Sequence, residues 1–231
     1  MTEVDKRNNR GNYTTINSAT QKLKILIFSE LFYPHGSGAE LATWLYSKLL
    51  AEEGFNITII TKRFPNEPSV EFLKNKRITI FRVPMKITFG SRYETLANTG
   101  VMMKSFVNKL IAESDIIYVP GGWYSAIPIA KIHKKPVVIH VHNYSIVCPT
   151  SLMYDFVKQR VEASSLRSFM LHEIIERGRG IALTIVSSLM NEFLGKYYNR
   201  LGMLADALVF VSKAQMNLVL SKVPYVRNKA M

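Results

Sequence analysis

Two clusters in this chain carry side chains suited to chemistry. The first is His35-Gly36-Ser37-Gly38-Ala39-Glu40, and the second is His140-Val141-His142-Asn143. Glycines in a turn let a ligand approach the backbone, and the N–H groups of a following helix start favour phosphate or sugar oxygens. The same segment also fits a structural role. Ser37 and Glu40 have the S-x-x-E spacing of a capping box, in which each side chain satisfies a backbone N–H. Both readings stand at this level. In the second cluster the histidines lie two apart, and residues so spaced in a strand share a face. His140 reads as a satisfied core histidine, and His142, at the strand's end, as the imidazole that meets substrate. A metal site needs a third ligand and no nearby carboxylate offers one, so no metal is expected.

Other chemistries find less support. A dinucleotide fingerprint needs a third glycine where this chain has Leu41, and its glycines should follow the strand at once. The second strand ends in Thr61-Lys62-Arg63, with no carboxylate for a ribose. Hydride transfer is therefore not expected. Cys148 precedes Pro149 without an activating partner and reads as a small buried residue. There is no G-x-S-x-G elbow and no D-x-D pair.

These clusters need elements to hold them. Lys24–Ser29 is a short apolar run that predicts a buried strand. Leu41, Leu45 and Leu49 recur at helical spacing, with Ala42 and Trp44 widening the stripe, so this face is expected to meet the core. Gly54 ends the helix and Asn56–Thr61 returns to strand composition. A basic connector, Lys62–Arg77, leads to a strand at Ile78–Val83. Helices are predicted at Tyr93–Glu113 and Ser125–Ile132, and strands at Asp115–Val119, Pro136–His142 and Ala207–Val211. Met153–Arg200 reads as mainly helical with a break at Gly178-Arg179-Gly180, and Ser212 with Gln215 caps a last helix. Strands alternating with helices imply an α/β fold, a Rossmann-like parallel sheet with helices on both faces. Ligands in such folds bind at the carboxyl ends of the strands. Interest therefore falls on Phe32–Glu40, Pro120–Tyr124 and His142–Pro149. Met1–Lys22 is polar and reads as a flexible tail, which leaves residues 23–231 as one domain.

Composition narrows the partners. With 231 residues, 48% of them apolar, the chain can bury a good core. The net charge of +13 favours anionic partners: phosphorylated substrates or an acidic membrane face. Between Lys62 and Lys86 only Glu67 and Glu71 oppose seven basic residues, which marks an anion-binding patch or a solvated loop. The basic residues are dispersed and no recognition motif accompanies them, so nucleic acid is not an expected partner. One cysteine fits a reducing, cytoplasmic compartment. The longest apolar stretch, Gly180–Asn191, is too short to span a membrane.

Taken in order, several pieces resemble one family. They are Tyr33-Pro34 with Gly36-Ser37-Gly38-Ala39-Glu40, the Gly54–Thr61 strand, Asp115-Ile116-Ile117-Tyr118, Val137–His142 with Asn143, Tyr144 and Cys148-Pro149, and Ala205–Ser212. Together they resemble the N-terminal domain of GT-B glycosyltransferases, specifically the retaining enzymes of family 4. The resemblance implies two Rossmann-like domains facing across a cleft, with this half on the acceptor side. Carried over, Gly36, Ser37 and Gly38 would lie near the donor diphosphate, and His142 beside the transferred sugar. Tyr33, Glu40, Gly121, Gly122, Asn143 and Tyr144 would line the cleft or face the acceptor. The implied partners are a nucleotide-sugar donor, a sugar or lipid-linked acceptor and a C-terminal donor-binding domain; the basic patches and the helical Met153–Arg200 region add an anionic membrane surface. No cofactor is implied beyond the nucleotide-sugar as co-substrate. The family often places a histidine after its Asp-Ile-Ile strand, where this chain has Tyr118-Val119-Pro120-Gly121-Gly122. The family's nucleotide-binding half has no counterpart here, and the chain closes without an ending signal, which implies continuation in a parent protein. The alternatives are a stand-alone sugar- or nucleotide-binding domain without turnover and, ranked below it, a basic nucleic-acid-binding module.

Overall fold

The structure, a computed structural model, describes residues 22–73, 76–85, 99–148, 153–155, 157–162, 165–176 and 178–231. All but Lys22 of the tail expected at residues 1–22, the first part of the helix expected from Tyr93, and Pro149 lie outside the described residues. Strands β1 (Lys24–Phe28), β2 (Asn56–Lys62), β3 (Val70–Leu73), β4 (Ile78–Val83), β5 (Ile116–Pro120), β6 (Val137–Val141) and β7 (Ala207–Phe210) form one sheet in the order β3-β4-β2-β1-β5-β6-β7. All neighbours are parallel except β3, which runs antiparallel to β4. The helices are α1 (Gly38–Glu52), α2 (Thr99–Met102), α3 (Ser105–Glu113), α4 (Ala126–Ile132), α5 (Leu166–Ile175), α6 (Ile181–Met203) and α7 (Lys213–Lys222). The Rossmann-like parallel sheet expected from the sequence is the one found.

Alternation along the strands divides the core in two. Ile25, Ile27, Ile57, Ile59, Ile78 and Ile80 face α1, with Phe32 and Ala51. Leu26, Phe28, Ile117, Val119, Ile139 and Leu208 point the other way, into a larger cluster with residues of α3, α4, α6 and α7. Phe28 meets Trp123 there edge to face, with ring centroids 5.6 Å apart. Two carboxylates close neighbouring strands at their starts. Lys24 N–H donates to Asp115 Oδ2 at 2.7 Å, and Val137 N–H to Asp206 Oδ2 at 2.6 Å. Burial would raise the Asp206 carboxyl, but Lys131 and the Val137 N–H outweigh it and hold it below the usual range.

Three expectations need correction. The Leu41, Leu45 and Leu49 stripe does not meet the core: these side chains are about half exposed, and α1 buries Thr43, Ser47 and Ala51 instead. The reason is local hydrogen bonding and size. Thr43 Oγ1 donates to the Ala39 carbonyl and Ser47 Oγ to the Thr43 carbonyl, so neither small polar group enters the core unsatisfied. The connector Lys62–Arg77 holds an edge strand, β3, whose charged and alternating sequence hides its pairing with β4. Met153–Arg200 is not helical at its start. Asp155 and Arg160 form a β-bridge, with the Val157 and Lys158 N–H groups folded onto Asp155 Oδ1. The break near Gly178–Gly180 separates α5 from α6 as expected, and Ser212 Oγ caps α7 by accepting from Gln215 N–H at 3.1 Å.

The inverted face of α1 sets up a direct comparison by chemical denaturation. Ser47→Leu should overpack the sheet contact and cost about 1–3 kcal/mol. Leu45→Gln, on the stripe that a periodicity argument would bury, should change stability by less than about 1 kcal/mol.

Candidate functional site at the strand ends

From β1 the chain moves one way to β2 and β4, and later returns on the other side to β5, β6 and β7. Such a switch leaves a crevice at the carboxyl ends of the strands. The β1–α1 turn, Ser29–Ser37, lies over it. One partly buried carboxylate holds this turn: Glu67 Oε2 accepts from Phe64 N–H at 2.8 Å, and Oε1 lies 3.0 Å from His35 Nε2 and 3.4 Å from Arg82 Nη1. Arg82 is itself buried and also bonds Glu71 at 2.9 Å. Burial would raise the Glu67 carboxyl, but the Phe64 N–H, Arg82 and His35 outweigh it and keep it below its ordinary range. Of the two acids of the basic connector, Glu67 therefore holds the turn directly through His35, and Glu71 supports it through Arg82.

Gly36 has φ +104°, a left-handed conformation that favours glycine, and a Cβ there would collide with the Glu40 side chain. Ser37 is the N-cap of α1, and its N–H donates to Glu40 Oε2 at 2.7 Å. The capping reading of Glu40 therefore holds in the structure. Gly38 is different: a Cβ built on it meets no atom within 4 Å. It borders a cavity of about 730 Å³.

That cavity brings the two clusters of the sequence together. Gly38 and His142 both line it, with Tyr46 of α1, Tyr118 of β5 and His140 of β6. Its floor is the outward face of the sheet, including Ile25, Ile116, Val138 and Val209. The rings of His140 and His142 lie 4.0 Å apart, as expected for side chains sharing a strand face. Tyr118 O–H and His140 Nδ1 are 2.6 Å apart. With the phenol donating, the His140 proton sits on Nε2. Burial, with His142 beside it, lowers His140 to about 4, and burial lowers His142 against the opposing pull of Glu40. Burial and the neighbouring Tyr46 push the Tyr118 phenol up. Both imidazoles are thus neutral near pH 7. His142 Nε2 is buried without a hydrogen-bond partner among the described residues. Such an atom is costly unless something bonds it.

The remaining candidates lie away from the cavity wall. Tyr33 is half exposed and stacks on Trp44 with ring centroids 5.6 Å apart. Gly121, at φ +114°, and Gly122 follow β5. Asn143 Oδ1 accepts from Ser145 N–H at 2.9 Å, and Tyr144 packs against the larger core cluster. Sequence reasoning missed Tyr46 and Tyr118. The position of Tyr118, two residues after Ile116 in a buried strand, places it on the face of His140 once the register Tyr118↔Val138 is known.

The buried histidines imply a pH dependence with a definite sign. An unfolded histidine titrates near 6.5. Because the folded value of His140 is lower, the unfolded chain binds the extra proton first, and stability falls as pH drops from about 6.5 to about 4. The loss from this group should be on the order of 2 kcal/mol. Denaturation across that range should give a flatter profile for His140→Gln than for the wild type.

No family model matches the chain, and no curated protein matches it by sequence. Solved structures do match by fold. A UGT transferase from Siraitia grosvenorii in complex with UDP aligns with 90% of this chain and 49% of its own, at 14% identity and a TM-score of 0.50. Phytolacca americana UGT2, complexed with UDP-2fluoro-glucose and pterostilbene, aligns with 88% of this chain and 51% of its own, at 8% identity and a TM-score of 0.51. Sucrose-phosphate synthase from Thermosynechococcus elongatus aligns with 87% of this chain and 45% of its own, at 13% identity and a TM-score of 0.48. This chain spans about half the length of the structures that it matches. At these identities the likeness is one of fold: the Rossmann-like α/β sheet that GT-B glycosyltransferases also contain.

Proposed function

We propose that the chain is one lobe of a glycosyltransferase that moves a sugar from a nucleotide-sugar donor to an acceptor with retention, as in family 4 enzymes. The observation that carries this reading is His142 Nε2, a buried and unpartnered imidazole nitrogen on the same cavity as Gly38. A polyhydroxyl ligand bonded to that nitrogen would relieve its desolvation. The open backbone at Gly38 begins α1, whose first N–H groups suit the oxygens of a departing diphosphate. Gly36 and Ser37 hold that backbone in place.

In this reading the chain lowers the barrier by position and by fixed dipoles. His142, kept neutral, holds the sugar by a hydrogen bond at Nε2 beside the anomeric carbon. Tyr118 and His140 set the tilted His142 ring beside them, so they are positioning residues. Negative charge growing on the leaving diphosphate meets the amino end of α1. The acceptor lies on this lobe. The apolar floor of the cavity favours an acceptor with an aliphatic, lipid-linked part over a bare glycan. A second lobe grips the nucleotide, and the reaction needs no metal. The single buried thiol, Cys148, fits a reducing cytoplasmic location.

The test uses the protein joined to its donor-binding lobe and follows donor consumption with a panel of nucleotide-sugars. His142→Ala should lower turnover by about a hundredfold or more with little change in thermal midpoint. Gly38→Val, whose side chain meets open space, should fold normally and raise the donor KM. Full turnover in His142→Ala overturns the site. Donor binding without any transfer by the wild type identifies a binding domain instead.

A further inference from the structure

We propose that the outward side of α6 docks flat on an anionic lipid bilayer. Helices of water-exposed proteins turn apolar residues inward and polar ones outward. The first half of α6 does the reverse. Thr184 and Ser188 are fully buried, and their hydroxyl oxygens have no hydrogen-bond partner among the described residues. Ile181, Leu183, Val186, Leu189, Met190 and Phe193 are 41–65% exposed. Val186, Leu189 and Phe193 follow one another at i+3 and i+4 along a single side. The only charged residue between Ile181 and Phe193 is Glu192, which is half-buried and paired with Lys196 at 3.3 Å.

The strip runs for roughly 20 Å at 1.5 Å per residue. Scattered exposed apolar residues are ordinary, but a contiguous strip of this length marks an interaction surface. No helix among the described residues is long and apolar enough to cross a membrane, so the geometry is in-plane. Charge selects the partner. Arg179, ion-paired with the buried Glu173, precedes the strip, and exposed Lys196 and Arg200 follow Phe193 at i+3 and i+7. Cations at both ends of an apolar strip, on a chain of net charge +13, complement anionic headgroups over an acyl interior. A single helix side also supplies apolar area that fluid lipid covers without complementary shape.

Vesicle flotation of the full chain tests this. Vesicles of phosphatidylglycerol and phosphatidylcholine in equal parts should carry the protein up, and pure phosphatidylcholine about tenfold less. Leu189→Glu with Phe193→Glu should cut anionic binding by about tenfold or more. These positions are exposed, so circular dichroism should be unchanged. Lys196→Glu with Arg200→Glu should cut it comparably and independently of the apolar pair. Failure of the wild type to float, or flotation of the Leu189→Glu/Phe193→Glu variant like the wild type, overturns the proposal. So does a wild-type dimer that the same variant converts to monomer without lipid, since a second chain would then cover the strip. None of the six apolar residues lines the strand-end cavity, so vesicle binding and sugar transfer can fail separately.

Discussion

Strand β1 is hydrogen-bonded on both edges, to β2 through the register Ile25↔Ile57 and to β5 through Ile25↔Ile116. Everything else follows from that double pairing. A parallel neighbour on each side forces the chain to leave β1 in one direction and return in the other. The turns after β1 and β5 then diverge, and the crevice between them opens at the carboxyl ends. Both faces of β1 are buried, with Ile25 and Ile27 under α1 and Leu26 and Phe28 against the opposite cluster. A one-residue slip would exchange those faces and move the β1–α1 turn off the crevice.

Polar groups then refine what the sheet places. Arg82 is buried in β4, and its partners Glu67 and Glu71 come from the connector and β3. Through His35 this network reaches the glycine turn, so the edge of the sheet farthest from β6 helps set the cavity's entrance. On the other side, Tyr118 and His140 are paired across neighbouring strands, and the His142 ring lies 4.0 Å from that of His140, tilted by 35°. Burial keeps both imidazoles uncharged. The result is a cavity whose polar groups sit at its strand-end mouth above an apolar floor.

Two apolar surfaces among the described residues are distinct in kind. On the cavity floor, α1 covers the sheet near β2 and β4 but leaves the same face of β5, β6 and β7 bordering open space. On α6, the apolar side is a helix exterior with cations beyond its ends. The first is concave and shared with His142, the surface proposed above to hold ligand. The second is a strip without polar interruption, the surface proposed above to meet lipid.

Much of the fold was legible because parallel strands buried on both faces must be continuous Ile/Val runs. Ile57–Ile60, Ile78–Val83, Val137–Val141 and Ala207–Phe210 announced themselves in that way. The glycine turn, the S-x-x-E cap and the two-residue spacing of His140 and His142 were equally local, and local chemistry is what a sequence specifies. Strand β3 was not legible, because Val70–Leu73 is short and its pairing with β4 depends on Arg82 being buried between two acids. Nor was the orientation of α1, where periodicity pointed to Leu41, Leu45 and Leu49. Close approach to the sheet instead selected Thr43, Ser47 and Ala51, whose hydroxyls bond the helix's own carbonyls. The sequence by itself determined most of the elements, their order and the local chemistry of the glycine turn and the paired histidines. Only the tertiary structure decided which face of each helix is buried, and that Tyr46 and Tyr118 join His142 on one cavity. Those outcomes rest on side-chain volume and on contacts between residues distant in the chain, which no short window of residues contains.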